Sequence, residues 1–303
     1  MDLASLQVFL TVARERSFSR AAERLYRTQP AVSIAVRKLE EWVGQPLLVR
    51  GTGAGKLTDA GALLVEYAER MLNLRSEARR TLEDLAHLRR GRLSLGVNES
   101  SIHALLPVLA RFRRKYPKID IAIHRVYSRD IPREILNYRL DMGVASYRPP
   151  DDALTALEFL SDDLVLVVPP KHRLARHRSV SIRELGEENF VAHIVPSPYR
   201  QQVIQLFAKH GVPLRLGVEL PTIESIKRFV RMGMGVAIVP RMCVQMEVED
   251  GDLVEVRIRE MRLRRELYLI FRRDQPLSHG AQAFMRLLKP KESAQLTGGR
   301  PAK

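Results

Sequence analysis

Two short helical segments near the N-terminus, joined by a tight turn, constrain this chain more than any other feature. The second segment begins at Thr28, a residue type that favours the helix N-cap, and Pro30 follows in the first turn, where its missing N–H costs nothing. The small residues Ala21 and Ala22 predict that the two helices cross at close range. Apolar residues recur at helical spacing on the predicted inner face, namely Leu25, Val32, Val36 and Leu39.

The opposite face of the second segment is polar, and its outward residues are Gln29, Ser33, Arg37 and Lys38. Hydrogen-bonding side chains near the N-terminus, followed by cations, suit a helix that lies in the major groove of DNA. An ordinary helical hairpin with a solvated polar face predicts the same pattern. The residues immediately after the second helix separate these two interpretations.

A glycine-rich tip over residues 51–56 lies between two short extended runs, 46–50 and 57–58. This arrangement predicts a β-wing, with Arg50 and Lys56 placed to contact phosphates or a narrow minor groove. A phosphate-cradling loop is excluded by its spacing, because that motif requires glycine at Arg50 and Ser or Thr at Leu57. The wing therefore favours DNA recognition.

One dense pattern of residues runs through this region in register: Leu6-Gln7-Val8-Phe9, Ser17–Ala22, Gln29–Ser33, Leu39-Glu40, Gly44, Pro46-Leu47, Arg50 and Leu57–Gly61. The pattern resembles the winged helix-turn-helix of LysR-type transcriptional regulators. Ile34 departs from the polar or basic residue that is usual there, and Leu48 stands where the family usually has Phe. The resemblance implies a regulator that binds double-stranded DNA and a small-molecule effector, forms a homodimer or homotetramer, and has RNA polymerase as a further candidate partner.

DNA contacts are accordingly predicted for Arg20, Thr28, Gln29, Pro30, Ser33, Ile34, Arg37, Arg50 and Lys56. Within this set the helix residues face base edges and the adjoining backbone, while Thr28, Arg50 and Lys56 hold phosphates or the minor groove. Ile34 is expected to touch a thymine methyl group, because an apolar side chain can read little else on a base.

The formal net charge of +15 also favours a polyanionic partner, although this attraction is independent of sequence. Residues 1–60 contain nine Lys or Arg against six Asp or Glu, so most of the excess charge lies downstream. The single cysteine, Cys243, excludes an intrachain disulfide and a cysteine metal cage, and indicates a reducing cytosol. No apolar run reaches the roughly 18–20 residues of a membrane span, so a cytoplasmic protein without a membrane partner is expected.

A long helix is predicted from residue 58 to about residue 88, since neither Pro nor Gly follows Gly61 there. Apolar residues alternate in steps of four and three along a heptad seam that includes Leu64, Tyr67, Met71, Leu74, Ala78 and Leu85. A helix that packs on its own domain produces the same stripe. We predict that this seam dimerises the protein and that the basic run 89–92 is a solvated turn leading into the second half.

From Leu93 onward the pattern alternates between strand and helix, which predicts an α/β domain with an open, mostly parallel sheet and helices on both faces. Residues 136–144, 164–174 and 230–240 resemble the periplasmic-binding-protein-like effector domain of the same family. The predicted organisation is a winged helix-turn-helix at 1–58, a linker helix at 59–90, an effector domain at 91–290 and a disordered tail at 291–303. One lobe is assigned to 91–162 and 265–290, and the other to 163–264.

Ligands of open α/β sheets sit beyond the carboxyl ends of strands, near helix N-termini. This rule selects Ser100, Ser101, His103, Ser128, Ser146, Pro198, Arg200 and Thr222 as effector-binding residues. Each serine or threonine is equally well explained as a plain N-cap. Hydroxyls, helix dipoles, His103 and Arg200 favour a small anion, whereas Glu99 opposes one and would pair with a cationic ligand group or with Arg200.

The sequence contains no nucleophile motif, dinucleotide fingerprint or metal-ligand spacing, so neither an enzyme nor a cofactor is expected. The pairs Asp151-Asp152 and Asp162-Asp163 are expected to face solvent, as are His172, His177 and His193. The alternative function is a cytosolic solute-binding or sensing protein whose N-terminal helices only oligomerise. A steep salt dependence of duplex binding would identify a DNA-binding head instead.

Overall fold

The computed structural model describes residues 1–49, 55–86, 91–195, 197–273 and 275–288, without the side chains of residues 80, 81 and 83–86. These residues form two compact units, one of Met1–Gly91 with Arg133–Leu140 and the other of Arg92–Pro132 with the chain from Asp141 onward. Residues 51–54 of the predicted wing tip, residues 89–90 of the basic turn predicted at 89–92, and the tail at 291–303 lie outside the described residues. The other two residues of that basic run, Gly91 and Arg92, begin a strand and not a solvated turn. Within the described ranges, no helix is both long and apolar enough to cross a bilayer.

The N-terminal unit is helical, with α1 at Leu3–Glu15, α2 at Phe18–Arg24, α3 at Gln29–Val43 and α4 at Asp59–Ala86. Asp2 and Ser17 cap α1 and α2, because each side chain accepts the backbone N–H three residues on, at 2.6 and 3.3 Å. Ala21 and Ala22 are buried where α2 meets the other helices, as their small size predicts. The core is completed by Leu6, Phe9, Val12, Val32, Val36, Leu39 and Leu47.

A minimal hairpin follows α3, where the Val49 N–H donates to the Lys56 carbonyl at 2.8 Å. The carboxylate of Glu40, on α3, accepts the backbone N–H groups of Leu47 at 2.8 Å and Leu48 at 3.2 Å. These two bonds tie the start of the hairpin directly to the helix.

The start of α4 is packed against the same hairpin. Thr58 donates its hydroxyl to the Pro46 carbonyl at 2.7 Å and accepts the Gly61 N–H at 3.0 Å. A Cβ atom on Gly61 would lie only 2.0 Å from the Leu47 carbonyl oxygen, so a residue without a side chain is required there.

Two faces of α4 carry apolar residues. Ala68 is buried in the core of its own unit, and Leu64 packs against that core, so the predicted place of Leu64 in the exposed seam is wrong. A second face carries the exposed α4 stripe, which consists of Leu63, Tyr67, Met71, Leu74, Ala78 and Leu82. The side chain of Leu85 lies outside the described residues.

From Gly91 onward the chain alternates strands and helices, all but the greater part of α6 lying in the second unit: β1 at Gly91–Val97, α5 at Ile102–Lys115, β2 at Ile119–Arg125, α6 at Ile131–Leu136, β3 at Met142–Ala145, β4 at Leu154–Val168, β5 at Ser179–Val180, β6 at Asn189–His193, α7 at Pro198–Lys209, β7 at Arg215–Leu220, α8 at Ile223–Arg231, β8 at Ala237–Pro240, α9 at Gln245–Glu249, β9 at Val254–Ile258, β10 at Arg264–Arg272 and α10 at His279–Leu287. The sheet order is β2-β1-β3-β10-β4-β9-β5, with β8 also paired to β4. Strands β6 and β7 form a parallel pair.

The prediction of a mostly parallel sheet is wrong. Strands β1 and β3 are parallel, as are β5 and β9, but β10 is antiparallel to both β3 and β4. Strands β8 and β9 also run antiparallel to β4. The 15-residue β4 passes from the first lobe into the second, and β10 returns antiparallel along it after the elements of the second lobe.

Each lobe has its own core. In the first lobe, built on β1–β3, β10 and the first part of β4, the rings of Phe112 and Phe284 meet edge to face at 5.4 Å. In the second lobe the end of β4 is apolar on both faces, because alternate side chains enter opposite clusters. Val165 and Val167 pack towards α8, while Leu166 and Val168 join the cluster around Phe207.

Candidate functional site

The polar face of α3 points away from the core of the N-terminal unit. Gln29 and Arg37 are exposed, Ser33 is half-buried, and Ile34 is 53% exposed. Thr28 holds the N-cap position with extended backbone, but its hydroxyl makes no capping hydrogen bond. The hydroxyl of Thr28 is therefore available to a partner at the start of the helix.

Two exposed aromatic residues frame the same surface and were missed in the sequence. Tyr26, in the turn before α3, is 96% exposed and adopts a positive φ of 53°. Trp42, in the last turn of α3, is 60% exposed. The available signal was the polar stretch beside each residue, since Arg27, Thr28 and Gln29 follow Tyr26, and two glutamates precede Trp42.

The basic residues of this surface differ in whether their side chains are already held by a hydrogen bond within the protein. Lys56 is exposed at the end of the hairpin, whereas Arg50 lies outside the described residues. Arg20 is exposed, but its Nη2 donates to the Glu15 carbonyl at 2.6 Å, which holds the guanidinium against the C-terminus of α1. Arg20 would have to exchange this bond for a phosphate.

A cavity of about 270 Å³ opens in the second unit, walled by both lobes. Five of the eight predicted effector-binding residues line it: Ser100, Ser128, Ser146, Pro198 and Arg200. The rule that ligands sit beyond strand ends thus selected residues that line a cavity in the structure.

The remaining three, Ser101, His103 and Thr222, are not among the described residues that line the cavity. Ser101 is fully buried and donates to Asn98 Oδ1 at 2.7 Å. Thr222 caps α8 by accepting the Ser225 N–H at 3.0 Å, as the alternative interpretation held. Burial, reinforced by the charge of Lys227, lowers the pKa of His103.

Two of the predicted cavity hydroxyls, those of Ser100 and Ser128, are already hydrogen-bonded within the protein. Ser100 donates to Asn98 Oδ1 at 3.1 Å, and Asn98 Nδ2 donates to Ser128 at 2.6 Å. Ser146 contributes its carbonyl, which accepts the Tyr199 hydroxyl at 3.0 Å. Asn98 holds this corner of the cavity together, although it is not among the residues selected from the sequence.

Glu99 does not pair with Arg200. Its Oε1 accepts the backbone N–H of Ile223 at 2.7 Å, and its Oε2 lies 3.4 Å from Nε2 of His193. His193 is therefore a half-buried part of the cavity wall, and the expectation that it is solvent-exposed is wrong. Arg200 instead contacts Glu219 at 2.5 Å and donates to the His193 carbonyl at 2.9 Å.

A buried arginine forms another part of the wall. Arg265 donates to the Ser100 hydroxyl at 2.6 Å and pairs with Asp162 at 3.3 Å, and both charged side chains are less than 10% exposed. Burial raises the pKa of Asp162, and the charge of Arg265 opposes that rise. The expectation that Asp162 faces solvent is therefore wrong. Asp163, on the opposite face of β4, is exposed as predicted.

Cys243 lies behind this wall, 2% exposed, with Sγ donating to the Ser100 carbonyl at 3.7 Å. Burial raises the pKa of its thiol to about 12. Because the thiolate is the reactive form, we expect dithionitrobenzoate at pH 8 to label the native protein about 1,000-fold more slowly than the urea-unfolded chain. Labelling at the same rate in both states would show that the thiol is accessible and contradict this assignment.

Two family models match the chain. The model described as "Bacterial regulatory helix-turn-helix protein, lysR family" matches residues 3–62, and "LysR substrate binding domain" matches residues 86–292. A probable RuBisCO transcriptional regulator of Cyanidioschyzon merolae is 34% identical over 275 residues, covering 88% of this chain and 91% of the relative. The RuBisCO operon transcriptional regulator of Allochromatium vinosum is 32% identical over 285 residues, covering 94% of each chain.

Solved structures share the fold. Full-length CbnR complexed with its target DNA superposes with a TM-score of 0.75 at 21% identity, covering 95% of this chain and 99% of that one. Full-length BenM superposes with a TM-score of 0.58 at 22% identity, covering both chains completely. Both comparisons support the same architecture, a helix-turn-helix unit and a two-lobed substrate-binding-like domain.

Proposed function

This chain belongs to the LysR family of DNA-binding transcriptional regulators with an effector-binding domain, and we propose that it reads its operator with the exposed face of α3. The observation that carries this proposal is the outward placement of Gln29, Ile34 and Arg37 over a buried apolar face. A helix so arranged presents hydrogen-bond donors and acceptors to base edges in the major groove.

Other residues of the unit position the helix on the duplex. Thr28 and Ser33 offer hydroxyls at the start of α3, Pro30 is exposed in its first turn and faces the duplex, and Lys56 on the hairpin contacts phosphate or the minor groove. Tyr26 joins this set, because an exposed aromatic at the turn can lie along the sugar-phosphate backbone. In this proposal the chain acts by binding alone and catalyses no reaction.

Ile34→Arg is expected to change the preferred sequence more than the affinity for random DNA. An isoleucine contacts a thymine methyl group, whereas arginine bonds both acceptors of guanine, and a good bidentate pair is worth about 1–3 kcal/mol of discrimination. Selection of random duplexes by the full chain, wild type against variant, should therefore enrich different bases at one or two positions in each half-site.

The matched control is Lys38→Ala, which removes a charge from an exposed position of the same helix. It should weaken binding to all duplexes alike and lower the salt dependence by about one unit. An unaltered preference of Ile34→Arg would reject the assignment of α3, and failure of the wild type to enrich any sequence would reject the proposed function. A duplex from a RuBisCO operon is a suitable first target, given the names of the relatives.

We further propose that a small-molecule effector binds in the cavity between the lobes. A ligand can shift DNA binding only by the difference in its affinity for two arrangements of the protein, typically worth a few kcal/mol. The cavity is large enough for a small metabolite and combines an apolar wall with several converging polar groups.

The α4 stripe supports a homodimer. Leu63, Tyr67, Leu74 and Leu82 are each more than 40% exposed, which is costly for large apolar side chains in water. A second copy of the same helix would cover them, and a dimer supplies the two heads that paired half-sites require. Pairing of dimers into a tetramer, and a contact with RNA polymerase, extend this proposal.

A further inference from the structure

Glu99 occupies the most donor-rich corner of the cavity. We propose that its carboxylate is a built-in substitute for the anionic group of the effector, and that a carboxylate or phosphate of the ligand binds by displacing it. This inference rests on the proposed function of the cavity and names the class of ligand that the cavity takes.

Three donors from three different elements converge on the Glu99 carboxylate. The Ile223 N–H is the first amide of α8, His193 ends β6, and Arg125, which ends β2, lies 3.6 Å from Oε2. Ile223 and His193 belong to the second lobe, while Glu99 follows β1 in the first lobe. The carboxylate therefore connects the lobes across the cavity.

These donors form a set that recognises oxyanions. A first-turn amide carries the positive end of the helix dipole, and an imidazole and a guanidinium add further N–H groups. A cationic ligand placed against Glu99 would instead lie beside Arg125 and His193, which would repel it or offer it no acceptor. The surroundings of Glu99 thus select an anion to take its place.

The rest of the wall favours the same ligand class. Among the described residues that line the cavity there are four arginines and one acidic residue, Glu99. Arg265, whose side chain is only 4% exposed, has an Nε atom with no hydrogen-bond partner in the described structure. An unpaired donor on a buried arginine next to Ser100 is a second point at which an anion is stabilised.

Glu99 also sets the affinity. As a tethered competitor it faces its donors at an effective concentration on the order of millimolar or more, so a free anion must outcompete it. Displacement releases the bond between the lobes, which gives the effector its means of favouring a second arrangement. Glu99 is therefore a specificity-determining residue.

The test measures binding of inorganic phosphate and of acetate to the full chain by calorimetry. Glu99→Ala and the near-isosteric Glu99→Gln should bind at least one of the two about tenfold more tightly than wild type. The anion that gains more identifies the effector group as phosphate or carboxylate. Asp120→Asn removes an exposed charge elsewhere in the same unit and should leave both affinities unchanged.

A second pair of variants tests the amide donor. Ile223 is the first residue of α8, where proline is tolerated, so Ile223→Pro deletes one N–H and keeps the helix. In the Glu99→Ala background, Ile223→Pro should abolish the gained affinity, whereas Ile223→Ala, which shortens the side chain but keeps the N–H, should retain it.

Two results would overturn the inference: no gain in either Glu99 variant, or wild-type binding of ethylammonium that Glu99→Ala removes. Footprinting on duplex DNA separates this outcome from failure of the proposed function. If Glu99→Ala gains phosphate or acetate binding but the bound anion never alters the footprint, Glu99 has the assigned role and coupling of the cavity to DNA fails. If calorimetry shows no gain, the assignment of Glu99 fails whatever the footprint shows.

Discussion

Leu74→Glu should convert the protein from dimers into monomers and weaken its binding to a duplex with two half-sites by about 100-fold. Leu74 lies in the middle of the α4 stripe and is 45% exposed in the single chain, so the substitution costs little in the monomer. In a paired helix it would bury a charge against the partner's apolar side chains. Sedimentation equilibrium measures the oligomeric state, and fluorescence anisotropy measures the affinity.

Ser76→Glu is the control, since Ser76 is exposed on α4 outside the stripe. It introduces the same charge two residues away and should leave both the dimer and its affinity for DNA intact. If the Leu74→Glu protein remained a dimer at nanomolar concentration, the dimer interface would have to lie elsewhere than on the α4 stripe. Binding to a single half-site should be unchanged in both variants.

Gly61→Ala is expected to lower the free energy of unfolding of the N-terminal unit by about 2 kcal/mol. In a helix interior, alanine is normally more favourable than glycine by about 1 kcal/mol. Helix propensity alone therefore predicts that the substitution raises the free energy of unfolding. The new Cβ would lie 2.0 Å from the Leu47 carbonyl, and backbone on both sides would have to shift. Trp42 is the only tryptophan of the chain, so its fluorescence during urea unfolding reports this unit.

Ala62→Gly, one residue further along α4 at an exposed position, serves for comparison. It should cost about 1 kcal/mol through helix propensity alone. If Gly61→Ala raised the urea midpoint, the close packing of α4 against the Leu47 carbonyl would be contradicted. The N-terminal unit would then tolerate changes at this junction.

The elements that the sequence predicted well carry their signals locally. The N-cap position of Thr28, Pro30 in the first turn and a helical apolar period identify α3 without knowledge of the rest of the fold. The first part of β4 and all of β9 were missed, because their burial comes from β10 and β4, which are distant in sequence. The assignment of Leu64 failed for a related reason, since two apolar faces of α4 overlap and only the core shows which face is free.

The cavity shows the same limit of prediction from local sequence signals. Strand ends identified most of its wall, but the partners of each polar group depend on the tertiary fold. Asp162 meets Arg265 across 103 positions of sequence, and Glu99 meets the N–H of Ile223 across 124. A residue pattern that names serines as ligand contacts has no means of showing that the Asn98 side chain already holds three of them.

The bonds from Glu40 to the hairpin have a mechanical consequence. Because one carboxylate holds two successive backbone amides, the start of the hairpin is fixed in its orientation relative to helix α3. In the proposed complex, where α3 and the hairpin both contact the duplex, DNA whose grooves do not match that orientation must curve to satisfy both, so base steps that bend easily would be favoured even where no side chain touches them.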